Sequence, residues 1–124
     1  MNNLKLFKLV LGFKPDTKNT EQHDVFFGIG ASLQDLQEEI RAHLPEVDGR
    51  VHIDTWEEVQ QIDGYRIDVI PRNQKGSTQK LFFVNVGWYP GSDREDHATI
   101  FVIAKNVAEA SIKAKQTKIF QELL

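Results

Sequence analysis

Lys5-Leu6-Phe7-Lys8-Leu9-Val10-Leu11-Gly12-Phe13-Lys14-Pro15 is echoed 75 residues later by Lys80-Leu81-Phe82-Phe83-Val84-Asn85-Val86-Gly87-Trp88-Tyr89-Pro90. The Lys-Leu-Phe start, the glycine at 12 and 87 and the closing proline are identical, and Leu9/Val84, Leu11/Val86 and Phe13/Trp88 exchange one apolar residue for another. After one residue is lost in the following loop, the match resumes as Glu21/Glu95, His23/His97, Phe27/Phe101 and Ile29/Ile103. Self-similarity at a fixed spacing is the signature of a repeated structural unit and governs every later assignment.

Each copy reads as strand, loop, strand, helix. The first places these at about 4–13, 22–30 and 32–44, and the second at 80–89, 97–104 and 106–121. Alternation of Phe7, Leu9, Leu11 and Phe13 with Lys8 and Gly12 predicts one buried strand face, matched by Phe82, Val84, Val86 and Trp88. Ser32 with Asp35, and Asn106 with Glu109, each put a capping residue three before a carboxylate, which marks a helix start. In the first helix Leu33, Leu36, Ile40 and Leu44 share a face that should pack on a sheet.

Between the copies, Val51-His52-Ile53-Asp54 and Tyr65-Arg66-Ile67-Asp68-Val69 read as the strands of a middle hairpin at about 50–70, turning at Asp63-Gly64. Trp56-Glu57-Glu58-Val59 also admits a helical turn. Polar residues 71–79, with Gly76 and Ser77, read as a linker. The expected fold is therefore α+β: internally duplicated β-β-α units forming a mainly antiparallel sheet with helices on one face, plus the middle hairpin, in a single domain spanning 1–124.

The chain has 124 residues, 40% hydrophobic and 27% charged, which suits one ordinary globular domain and excludes a disordered or fibrous class. It has no cysteine, so disulfides, thiol nucleophiles and thiolate metal sites are excluded. A net charge of −3 argues against a general nucleic-acid binder. Lysines interrupt the apolar start, and no stretch has membrane-spanning length, so a cytoplasmic location without membrane association is expected.

The Lys-Leu-Phe start with Gly12 and Gly87, the histidines His23 and His97 before an apolar strand, and the segments His52-Ile53-Asp54-Thr55-Trp56 and Asp63-Gly64-Tyr65 resemble a small family of bacterial proteins. That family is known only as a domain of unknown function, number fifteen-forty-three, in which one or two such copies occur. The resemblance covers nearly the whole chain. It implies no activity, substrate, cofactor or catalytic residue.

The residues themselves offer three places for chemistry. Glu21 and His23, and equally Glu95 and His97, form a Glu-x-His pair at the entrance to the second strand of each copy. A spacing of two puts both side chains on one strand face, as ligands or as an acid–base pair; the alternative is that each histidine anchors the preceding loop by hydrogen bonds. His52 and Asp54 have the same spacing, where a solvated strand face is the plainer reading. The aromatic loop residues Trp88 and Tyr89 suit a contact surface, although core packing of Trp88 is the commoner use. His43 fits a helix C-terminus.

Gly28-Ile29-Gly30 lacks the rest of a phosphate-binding motif, and Val102 and Ala104 replace its glycines in the second copy, so close helix packing is the better account. No nucleophile elbow and no open metal motif is present, so no cofactor and no metal are assigned. The expected role is a small binding or interaction module, forming a homodimer, whose protein or small-molecule partner is unknown. The alternative is a small enzyme or metal-dependent protein using the Glu-x-His pairs Glu21/His23 and Glu95/His97, or His52/Asp54.

Overall fold

The computed structural model describes residues 3–14, 21–43, 51–88 and 96–116, with the backbone alone at 88, 96 and 97. The chain divides into two compact units, 1–60 with 68–71 and 61–67 with 72–124.

In the first unit β1 (Lys5–Phe13) and β2 (Gln22–Gly30) form an antiparallel hairpin, running from Lys5 opposite Gly30 to Phe13 opposite Gln22. A third strand, β3 (His52–Glu58), adds antiparallel to the other side of β1, giving the order β2-β1-β3. The period-two pattern does what it predicts: Phe7, Leu9 and Leu11 are buried on one face beside Phe26. A 3₁₀ turn (Leu33–Leu36) runs into α1 (Gln37–His43), and these close the core with Leu36 and Ile40, while Phe13, Leu33 and Val51 lean on it.

The turn opens where Asp35 bends back. Its carboxylate accepts the N–H of Ala31 at 3.0 Å and of Ser32 at 3.2 Å, satisfying donors that a helix start leaves orphaned. Gly28 lets the turn approach the sheet, since a Cβ there would stand 2.8 Å from Leu36 Cδ2. Helix packing is thus what this glycine serves.

The second unit pairs β4 (Gln61–Ile62) with β5 (Tyr65–Arg66), and β6 (Lys80–Trp88) with β7 (Asp96–Ala104). The short hairpin turns at Asp63 and Gly64, whose φ values of 51° and 82° lie in the left-handed region that Asp and Gly tolerate best. After β7 comes α2 (Val107–Lys115), capped by Asn106, whose Oδ1 accepts the Glu109 N–H at 2.8 Å. Val102, Ala104, Ala110 and Ala114 make its core, with Phe82, Val84 and Ile100 against them.

Every ladder is antiparallel and the class is α+β, but the ladders among the described residues fall into three sheets rather than the one expected. The middle hairpin also differs. The segment at 52–58 does not pair with 65–69, and Trp56-Glu57-Glu58 is strand, not a helical turn. It takes the open edge of β1, where seven residues find a long ladder and the buried Val59 donates its N–H to the Leu6 carbonyl at 2.8 Å. Only the Asp63-Gly64 turn survives from the expected hairpin. Residues 44 and 117–121, assigned above to helices, lie outside the described residues.

Candidate functional site

The hairpin register fixes the site. Gly12 of β1 stands opposite His23 on β2 and opposite His52 on β3, so the two histidines flank a residue with no side chain. On the face of the sheet away from the buried Phe7, Leu9 and Leu11, Glu21 precedes His23 by two residues and Asp54 follows His52 by two. Two pairs that look unrelated in the sequence therefore meet across three strands.

The contacts are close. His52 Nε2 lies 2.8 Å from Glu21 Oε1 and 2.8 Å from Asp54 Oδ1. His23 Nε2 lies 2.7 Å from Asp54 Oδ2 and 3.9 Å from Glu21 Oε1. The side chains keep between 29% and 57% of their surface, so solvent and solutes reach them. His23 thus pairs with a side chain of β3, two strands away.

Two features of the backbone build this arrangement. A Cβ at position 12 would fall 2.5 Å from Glu21 Oε1 and 2.6 Å from His52 Nε2, so the cluster occupies space that only glycine leaves open. The β1–β3 register shifts between Val10 and Leu11: Val10 faces Thr55 and Leu11 faces Ile53, leaving Asp54 as the extra residue. A bulge re-aims the side chain it carries, here the carboxylate shared by both histidines.

Glu21, His52 and Asp54 each offer one ligand atom, all within 4.8 Å of one another. His52 Nε2 carries either one proton or one lone pair, yet faces two carboxylate oxygens. A proton there is divided between two acceptors, and a lone pair is repelled by both. A cation at the centre would satisfy all three atoms. Tetrahedral zinc with bonds near 2.1 Å holds its ligand atoms about 3.4 Å apart, so the two His52 contacts would need to lengthen by about 0.6 Å, which exposed side chains permit. Mixed imidazole and carboxylate donors suit zinc and its transition-metal neighbours rather than calcium or magnesium, which prefer oxygen throughout.

Along the same strands, Lys8, Val10, Thr55, Trp56 and Glu57 line a shallow recess of about 210 Å³, smaller than most organic-ligand pockets. His43 is elsewhere engaged. Its Nε2 is 2.8 Å from Asp24 Oδ2 and its ring stacks edge-on against Phe26, fastening the end of α1 to β2.

The second copy of the pair has the same backbone setting, with Gly87 opposite His97. Glu95 and Tyr89 lie outside the described residues, and so do the side chains of His97 and Trp88. Among the described residues β6 pairs with β7 alone, with no counterpart of β3.

Comparison with known proteins bears on the segment that carries the cluster. Residues 18–69 match DUF1543, a Domain of Unknown Function. The resemblance read from the sequence holds over that segment, and all four clustered side chains lie within it. A crystal structure of the protein Il1583 from Idiomarina loihiensis has a similar fold, with a TM-score of 0.67 and 23% identity over 91% of this chain and 71% of that one. No curated protein matches the chain. Among the described residues, no helix is long and apolar enough to cross a membrane.

Proposed function

We propose that this protein is a divalent-cation-binding domain whose site is made by Glu21, His52 and Asp54, with His23 holding the second oxygen of Asp54. The observation that carries this reading is His52 Nε2 set 2.8 Å from two carboxylate oxygens directly over a glycine. Three protein ligands with high exposure leave coordination positions open, as in sites that exchange or activate a bound ligand rather than closed structural ones. His23 on the outer oxygen of Asp54 is the kind of supporting hydrogen bond that orients a ligating carboxylate. This develops the metal-dependent alternative drawn from the sequence and joins two of its pairs into one centre.

Calorimetric titration with zinc, cobalt and nickel, beside magnesium and calcium, tests it. The expected result is one equivalent of transition metal bound, no comparable magnesium or calcium binding, and loss of the site in His52→Ala. Binding should weaken as pH falls, because protons compete for the imidazole nitrogen. Absence of stoichiometric uptake, or uptake that His52→Ala leaves unchanged, refutes the reading.

The two hairpin-and-helix units are best read as copies of one ancestral unit. Equal registers support this, from Lys5 opposite Gly30 and Lys80 opposite Ala104 to Gly12 opposite His23 and Gly87 opposite His97. On that reading the second unit retains the older half of the arrangement, and β3 made the cation site in the first.

A further inference from the structure

We infer that occupancy of the cation site controls the attachment of β3, so that the metal acts as a clasp on the outer strand; this rests on the cation-binding reading above. Between the flanking Val51, which leans on the core, and the buried Val59, no side chain of β3 is buried, and Trp56 is 56% exposed. The strand is held by its ladder to β1, by the edge contact of Trp56 with Phe7 at 6.2 Å, by the Lys5–Glu58 ion pair at 3.6 Å, and by the histidine–carboxylate cluster. A segment with so little buried apolar surface opens at low free-energy cost.

The proposed ligands are divided across the sheet. Glu21 immediately precedes β2, while His52 and Asp54 come from β3, and β1 lies between with only Gly12 beneath the centre. Parting β3 from β1 therefore pulls two ligands away from the third. A cation bound to all three must be released before the strand can leave, and its concentration sets how often the edge of β1 is bared. The bared edge is a row of unpaired backbone groups able to accept another strand.

Hydrogen exchange of the full chain, read by mass spectrometry on peptides covering 51–60 and 80–104, tests the clasp. At zinc concentrations 100 times the dissociation constant, exchange of the β3 amides bonded to β1 should slow about 100-fold, and the slowing should grow in proportion to free zinc. The β6–β7 peptide should be unchanged, and Gly12→Ala should abolish the zinc effect on β3. If zinc binds by calorimetry and β3 exchange does not change, the clasp is wrong and the cation site stands. Equal slowing in both hairpins would mean stabilisation of the whole fold and would overturn the clasp as well. Failure of zinc to bind removes both.

Discussion

At the contact between sheet and helix, the two units fill the same space from opposite sides. The first has glycines on the strand, Gly28 and Gly30, with the large Leu36 facing them and Ile40 in the same core. Seventy-four residues later the second has Val102 and Ala104 on the strand and Ala110 and Ala114 on the helix. Bulk sits on the helix in the first unit and partly on the strand in the second, so that each large residue is met by a small one, as a close-packed interior requires. The two units differ again at the edge of the first strand: β1 has a third strand beside it, and β6 pairs only with β7 among the described residues. The first difference leaves a helix packed on a hairpin in both units, whereas the third strand brings His52 and Asp54 beside Glu21 and His23.

The first difference can be broken by swapping one side of it. Leu36→Ala should cost about 2–5 kcal/mol, since Leu36 is fully buried and leaves a cavity beside Gly28. Gly28→Val alone should also destabilise, because its Cβ would meet Leu36 at 2.8 Å. Together the two reproduce the pairing of the second unit, and urea melts should show the double mutant losing less than the sum of the singles by about 0.5–3 kcal/mol. Strict additivity would mean that the volume exchange is coincidental.

The second difference is sharpened by parallel glycine substitutions. Gly12→Ala should abolish zinc binding, as the added Cβ displaces Glu21 and His52, yet change urea stability by no more than about 0.5 kcal/mol because both displaced groups are ends of flexible, exposed side chains. Gly87→Ala should leave zinc binding intact. Equal loss of binding in the two variants would show that the completed site is not confined to the first unit.

His23→Ala separates support from ligation. Its pair with Asp54 is exposed, so denaturant stability should fall by less than about 1 kcal/mol, while zinc affinity should drop about 10–100-fold and not vanish. Complete loss, equal to that of His52→Ala, would make His23 a ligand in its own right.

Much of this was legible in the residues. Phe7, Leu9 and Leu11 announced a strand with one buried face, and the two capping pairs placed both helix starts, because these signals are local and periodic. Both halves of the proposed cation site stand in the sequence too, as Glu21/His23 and His52/Asp54. Their union was not, because it depends on which strand occupies the free edge of β1, a choice made between segments some 40 residues apart. The Asp63-Gly64 turn suggested a hairpin for 51–54 and 65–69, and a tight turn does fix its neighbours. It fixes only two residues on each side here, and the longer ladder takes the rest. The bulge that frees Asp54 leaves no composition signal at all.

The smallest expected effect lies at the start of α2 and compares its cap with that of the first unit. In the first unit the Asp35 carboxylate reaches back to the N–H groups of Ala31 and Ser32; in the second, Glu109 accepts the Lys105 N–H at 3.3 Å and also pairs with Lys113 at 3.2 Å, one turn on. The Lys113 ammonium is the larger cause, and the Lys105 N–H the next, that hold the Glu109 carboxyl below its ordinary value of 4.5. A carboxyl whose folded-state pKa is depressed stabilises the fold above its unfolded value and loses that contribution as pH falls through the folded one. Lys113 also donates to the Ile103 carbonyl at 2.7 Å, so the pair ties helix to strand as well as capping it. Glu109→Gln should therefore lower the urea midpoint slightly at pH 7, and the gap from the unsubstituted protein should close once the pH is well below 4.5. A gap that persists at pH 3 would show that Glu109 acts through its hydrogen-bonding shape and not its charge, which would make the two caps equivalent.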